Sequence, residues 1–336
     1  MTKHTPALSD ILSAHRAMRG VAVETPVVRS TLGDENAPFW LKLETLQPTG
    51  AFKLRGAANA VAGLSADQRK RGVVCCSTGN HGTSVAYAAR AAGVQATVCV
   101  SELVPEVKIR AIQAQGARVV QKGQSQDDAL AESLRLVETD GVVEISPFDD
   151  AAVVAGQGTI GYELLRDLPE LDTILVPLSG GGLAAGVAVA AKAINPNIRV
   201  VGITMDRGAA MDASIRAGHP VEVPEVASLA DSLGGGIGLQ NQLTFGLCRD
   251  LLDEIILVTE DEIYAGMQAL FLQDRLVAEG ASAVGHAAVL AGKVQLTGPT
   301  ATIITGRNVD MEQFTRVITG QPVTLGNLTV KGPQHG

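Results

Sequence analysis

An α/β fold in two units, built on twisted, mostly parallel sheets flanked by helices, is what this sequence predicts, on three observations. Short β-branched runs alternate with longer stretches of helical periodicity, the pattern of strands wound with crossover helices. Apolar residues make up 46% of the chain and aromatics only 3%. Small and branched side chains must then fill the layers, which suits helices packed on both faces of parallel strands. The length of 336 residues is enough for two domains.

Taken in order, the first clear element is a small-residue helix over 56–63. Strands are expected at 73–77, 96–101, 118–122 and 142–145, with helices between them at 83–92, 105–115 and 127–138. Pro105 suits a first helical turn, and Gly93 and Gly116 suit helix stops. Pro147, Phe148, Asp149 and Asp150 then punctuate the chain and mark a boundary. A second series follows, with helices at 158–168, 183–194, 261–279 and 281–296 and strands at 173–178, 199–204, 254–259 and 300–305.

Charge and cysteine usage narrow the function. The formal net charge is −8 without a dense Lys/Arg block, which argues against nucleic acid as a partner. The N-terminal stretch is too polar for a signal peptide, and no long uncharged apolar run predicts a membrane span. Cys75, Cys76, Cys99 and Cys248 lack metal-ligand spacing and read as reduced structural thiols of a cytoplasmic protein.

In open α/β sheets, ligands bind beyond the carboxyl ends of strands. Four segments fall there or at a helix start. Lys53 opens the small-residue helix between apolar Phe52 and Leu54 with Arg55 near; a Schiff-base lysine needs the depressed pKa that burial and a nearby cation promote, and a surface lysine is the plain alternative. Ser77, Thr78, Gly79, Asn80, His81 and Gly82 lie between a strand and a helix. They serve equally as an N-capped turn and as an anion site. Ser179, Gly180, Gly181, Gly182 and Leu183 form a loop stripped of side chains, able to wrap a phosphate. Gly180, Gly182 and Gly186 also approach a dinucleotide fingerprint, with Asp206 beyond the next strand as a ribose ligand, so an NAD(P)-dependent oxidoreductase stays open at this point. Thr305, Gly306, Arg307 and Asn308 follow the last strand, where a hydroxyl would face the same cleft.

In this order the four segments resemble the threonine dehydratase and serine racemase family, which has the tryptophan-synthase-β-like architecture of fold type II pyridoxal 5'-phosphate (PLP) enzymes. The resemblance runs from about Thr25 to about Asp310 and includes Leu41 to Glu44, Val104 to Lys108, Pro147 to Asp150 and Ala155 to Thr159. It implies PLP in a cleft between a large domain (1–71 and 151–320) and a small mobile domain (72–150), with 321–336 as a tail. It further implies Lys53 as the cofactor lysine and Cα base, and Asn80 on the phenolate oxygen. Ser77, Thr78, Gly79 and His81 would lie around the substrate carboxylate. Ser179 through Leu183 would form the phosphate cup, and Thr305 would contact the pyridine nitrogen. Loss of water from a 3-hydroxy amino acid is the implied reaction, and a homodimer the implied assembly.

This sequence departs from the family's pattern at several positions. Ala51 replaces a serine, Ser179 replaces a glycine, and Arg307, replacing a small residue, becomes a candidate clamp on substrate. Thr204 and Ala210 stand where racemases hold a divalent metal, so no metal is expected. Thr78 stands where racemases carry a second-face serine, which leaves a threonine/serine dehydratase and an amino-acid racemase as alternatives. A cofactor-binding scaffold without catalysis is a third reading, and the family's regulatory C-terminal domain is not seen. Residues 229–238, Asn308 to Asp310 and Val323 to Leu328 resemble the hydroxyectoine-utilisation dehydratase subgroup, which implies a substrate derived from a hydroxylated cyclic diamino acid.

Overall fold

A computed structural model describes residues 4–332. Residues 1–3 and 333–336, the extremes of the N-terminal stretch and of the tail, lie outside the described residues. Helix α1 (Leu8–Ala17) leads into strands β1 (Val27–Arg29) and β2 (Phe39–Leu43), then α2 (Lys53–Ala62) and α3 (Ala66–Arg71). A run of alternating elements follows: β3 (Val73–Cys76), α4 (Asn80–Ala91), β4 (Ala96–Val100), α5 (Glu106–Ala114), β5 (Arg118–Gln121), α6 (Gln126–Asp140) and β6 (Val143–Glu144). Helix α7 (Ala151–Asp167) returns the chain to β7 (Thr173–Pro177), α8 (Gly182–Ile194), β8 (Arg199–Met205), α9 (Ala210–Ala217), α10 (Leu243–Leu251) and β9 (Glu254–Val258). The last segment holds α11 (Glu260–Leu272), α12 (Gly280–Leu290), β10 (Thr300–Ile304), α13 (Met311–Ile318) and a hairpin of β11 (Val323–Leu325) and β12 (Leu328–Val330).

The strands form two main sheets. The larger has the order β1-β2-β10-β7-β8-β9, parallel except for β1, and the smaller has the order β5-β4-β3-β6, parallel throughout. Strands β7 and β10 are buried along their whole length, as expected of strands covered on both faces. One face of the large sheet packs under α7, α8 and α10 around Ile174, Val176, Val187 and Ile303. The other packs under α11, α12 and α13 around Leu41, Val201, Met267 and Phe314. Helices α2 and α4 share a third core with the small sheet, around Leu54, Val85 and Val98.

All eight expected strands are present, each end within one residue of its expected place. Helix boundaries differ more. The helix expected at 158–168 starts at Ala151, where Asp150 accepts a cap bond from the Val153 N–H at 2.9 Å. Its glycines do not break it, because they admit close neighbours. A Cβ at Gly156 would meet the Arg55 carbonyl oxygen at 2.6 Å, and one at Gly158 would meet that of Gly186 at 2.8 Å. Helix α11 stops at Leu272 rather than 279, just before Arg275 enters the left-handed region at φ 60°. No helix among the described residues is long and apolar enough to cross a membrane.

Candidate active site

A cavity of about 330 Å³ opens where the carboxyl ends of β3, β7 and β10 converge, and it brings together Lys53, Ser77 through His81, Ser179 through Leu183, and Thr305. Lys53 is the first residue of α2, and its ammonium donates to the Pro147 carbonyl oxygen at 2.7 Å. Among the described residues no carboxylate faces it at bonding distance, and the Phe52 ring lies 5.2 Å away at its centroid. Burial therefore lowers the amine's pKa from 10.5 to about 8.

The glycine loop joins β7 to α8. Gly181 caps the helix at φ +89°, a conformation that strains any residue with a Cβ. A Cβ on Gly180 would meet the Phe148 ring at 2.4 Å, so the chain here can be only backbone. Helix α10 holds the loop from behind: Thr244 Oγ1 donates to the Gly180 carbonyl oxygen at 2.8 Å, while Asp149 Oδ1 accepts from the Leu243 and Thr244 N–H groups at 3.0 Å each. The first amides of α8, which have no carbonyl inside the helix to bond, open onto the cavity.

Asn80, the first residue of α4, is locked by its neighbours. Its amide donates to the Glu279 carboxylate at 3.0 and 3.1 Å and accepts from Asn308 Nδ2 at 2.7 Å. Glu279 also accepts from the Asn308 N–H at 2.8 Å and the Ser232 hydroxyl at 3.3 Å. Burial raises the pKa of Glu279, and neighbouring Asp231 adds to the rise, while Asn80, Asn308 and Ser232 oppose it. Asp231 is likewise raised by burial, against the opposing charge of Lys108. Thr305 lies at the far wall, its hydroxyl 2.9 Å from that of Ser282.

His81 lines the cavity, yet its Nε2–H is committed to the Ile145 carbonyl oxygen at 2.8 Å. Burial, with the Lys53 charge second, drives its pKa down to about 3, so the ring is neutral at working pH. Ser77 Oγ accepts from the Gly79 N–H at 3.3 Å, and Thr78 is half-buried on the wall. Arg307 is not brought to the cavity lining: its side chain is exposed, its stem lies beside Gly50, and its N–H bonds the Gly50 carbonyl oxygen at 3.0 Å. Sequence reasoning passed over Glu279, Phe148, Lys108 and Ser282 as site residues. Glu279 had one legible signal, a carboxylate directly before the small residues Gly280, Ala281 and Ser282, where it proves to be the N-cap of α12.

Behind the cavity, α2 buries a second cation. Arg55 bonds Glu44 at 2.8 Å through two nitrogens and Glu163 at 2.6 and 2.8 Å, and Lys42 reaches Glu163 at 2.6 Å. Two positive and two negative groups balance here, all with less than 2% of their surface exposed.

The donor set fits one kind of cofactor. A glycine-only helix entry suits a phosphate, an amine of lowered pKa suits an aldehyde, and an amide and a hydroxyl stand at other walls of the same cavity. Fold and site together define a fold type II PLP enzyme. Comparison with known proteins agrees: residues 19–306 match the family described as pyridoxal-phosphate dependent enzyme. A Sinorhizobium fredii protein named provisionally as a threonine dehydratase is 54% identical over 83% of this chain and 85% of its own length. An L-threonine ammonia-lyase of Thermotoga maritima is 41% identical over 93% of this chain and 78% of its own. The structure of maize serine racemase superposes with a TM-score of 0.86 at 32% identity, covering 94% of this chain and 98% of that one. The chain belongs to the pyridoxal-phosphate-dependent enzyme family, in the branch that holds the threonine dehydratases and serine racemases. Its cofactor is PLP, and its chemistry is that of a dehydratase, a carbon–oxygen lyase.

Proposed function

We propose that the substrate is a small 3-hydroxy amino acid of threonine or serine size, and that Lys53 both carries the cofactor and moves the proton at Cα. The observation that carries this reading is the buried amine of Lys53, its pKa lowered to about 8, inside the same cavity as the glycine loop. When bound, the cofactor supplies an electron sink for the Cα–H bond pair. The rest falls to side chains and amides of this chain. The loop of Ser77, Thr78 and Gly79 before α4 receives the substrate carboxylate, which a helix N-terminus favours. Gly180, Gly181, Gly182 and Leu183 hold the phosphate through backbone N–H groups, with Ser179 at the entry. Asn80 holds the phenolate oxygen, and Thr305 faces the ring nitrogen. His81, being neutral, shapes the floor without adding charge. The small unit around β3 to β6 closes over the substrate and excludes water from the reacting carbon.

Reduction of the cofactor-saturated protein with borohydride, followed by peptide mass spectrometry, tests the first half. A modification at Lys53 is expected, and one elsewhere overturns the assignment. Assays with threonine, serine, 3-hydroxyaspartate and ring-opened hydroxyectoine, scored by oxo-acid and ammonia release, test the second half. The hydroxyectoine-derived substrate is the subgroup expectation and threonine the expectation from the relatives' names. A racemase reading has Thr78 on the cavity wall in its favour, and chiral analysis of recovered serine reads it directly. The proposal includes a homodimer working in the cytoplasm, which sedimentation and fractionation test.

A further inference from the structure

The Ser282 hydroxyl, on the first turn of α12, has no exposed surface and three partners. It lies 2.9 Å from the Thr305 hydroxyl, 2.9 Å from the Gly306 carbonyl oxygen, and 2.9 Å from the Gly306 N–H, which donates to it. One hydroxyl has one hydrogen, so only two arrangements satisfy this set. In the first, Ser282 donates to the Gly306 carbonyl and Thr305 donates to Ser282, leaving Thr305 with lone pairs toward the cavity. In the second, Ser282 donates to Thr305, and Thr305 turns its own hydrogen to the cavity. Neither arrangement strands a buried group. The Gly306 carbonyl also accepts from the Glu279 N–H at 3.0 Å, so it keeps a partner in both. We infer that Ser282 is a positioning residue that lets Thr305 present either a lone pair or a hydrogen to the ligand atom facing it.

The inference rests on the proposed placement of the cofactor ring nitrogen at Thr305. A protonated ring nitrogen requires an acceptor and an unprotonated one a donor, and Ser282 serves both by reversing one hydrogen bond. Without Ser282 the Thr305 hydrogen has no side-chain acceptor among its described contacts, so the ring nitrogen takes it. Thr305 is then fixed as a donor, and the protonated ring is disfavoured. The charged or titratable groups on the same cavity are Lys53, Lys108, Asp231, Glu279 and His81, and none of their side chains bonds the Ser282 hydroxyl.

The test is protein reconstituted with PLP labelled with ¹⁵N in the ring, its nitrogen resonance followed against pH. Ser282→Ala is expected to lower the proton affinity of the ring nitrogen by roughly threefold to tenfold, the worth of one such hydrogen bond. In a Thr305→Val background the same change is expected to do nothing. Ser282→Cys, which keeps a weak donor of similar size, is expected to fall between and covers the case in which the alanine variant does not fold. A resonance unmoved by Ser282→Ala or Ser282→Cys overturns the inference, as does an equal shift in the Thr305→Val background. Wild-type protein that takes no label at Lys53 would instead break the functional assignment, a separate outcome.

Discussion

Lys53 and Arg55 leave helix α2 two residues apart, one into the cavity and the other into the interior behind it. Burial acts on both, with opposite results. Arg55 meets two carboxylates in bidentate geometry, and their field more than offsets its desolvation, so it stays charged. Burial pushes the Glu163 carboxyl up, but Arg55 and Lys42 hold it below its ordinary value. Lys53 meets only a carbonyl oxygen, and desolvation wins. A single turn of helix thus carries a structural cation and a chemical amine, separated by whether a carboxylate stands opposite. The balanced cluster anchors α2 and so fixes where the Lys53 stem begins.

This contrast can be broken in four ways. Replacing Lys53 by alanine is expected to lower turnover by roughly 10³-fold or more, with melting behaviour near that of the parent apoprotein. Normal turnover in that variant would remove the amine from the chemistry. Arg55→Met should act the other way, on stability first. It takes the guanidinium from both Glu44 and Glu163 and leaves only Glu163 bonded to Lys42, and a loss of about 3–5 kcal/mol is expected in urea titration.

The amine itself can be titrated. Borohydride-trapped labelling of the apoprotein at Lys53 by PLP should rise with a midpoint near pH 8, against 10.5 for an ordinary lysine. Because the folded pKa is the lower one, the unfolded chain binds more protons between these values. Apoprotein stability should therefore rise with pH across that window, and the rise should vanish in Lys53→Met. The smallest effect is expected from Arg307→Ala. An exposed side chain off the cavity lining should change stability by no more than about 0.5 kcal/mol, and kcat/KM should stay close to that of the parent. A large fall in kcat/KM would return Arg307 to the substrate.

Strand positions were legible because the central strands are short, uncharged runs rich in β-branched residues, which suit a sheet covered on both faces. The site motifs were legible because glycine, lysine and asparagine each stand at a strand end or helix start. The ion cluster was not legible. Lys42, Glu44, Arg55 and Glu163 are spread over 121 positions, and charge in a sequence normally reads as surface. The helix expected from 158 begins at Ala151, and Gly156, Gly158 and Gly161 inside it allow α7 to touch α2 and α8. Glu279 was hidden because the tail of α11 was expected to run through it, whereas the left-handed Arg275 ends that helix early. Arg307 was drawn toward the substrate by its neighbours in the chain. The turn instead brings the Asn308 amide onto Asn80.

One rung of backbone pairing ties these pieces together. Ala51 bridges Gly306 in antiparallel fashion, the Phe52 N–H bonds the Thr305 carbonyl oxygen at 2.9 Å, and the Arg307 N–H bonds that of Gly50. The stems of Lys53 and Thr305 are therefore stitched edge to edge, and strand β10 runs beside β7, which feeds the glycine loop. Anything gripped at those three points travels as one rigid cassette. If the small sheet swings as proposed, Ser77 to His81 and Lys108 move with it, and of the proposed holds on the cofactor only that of Asn80 changes; those of Lys53, the glycine loop and Thr305 stay together.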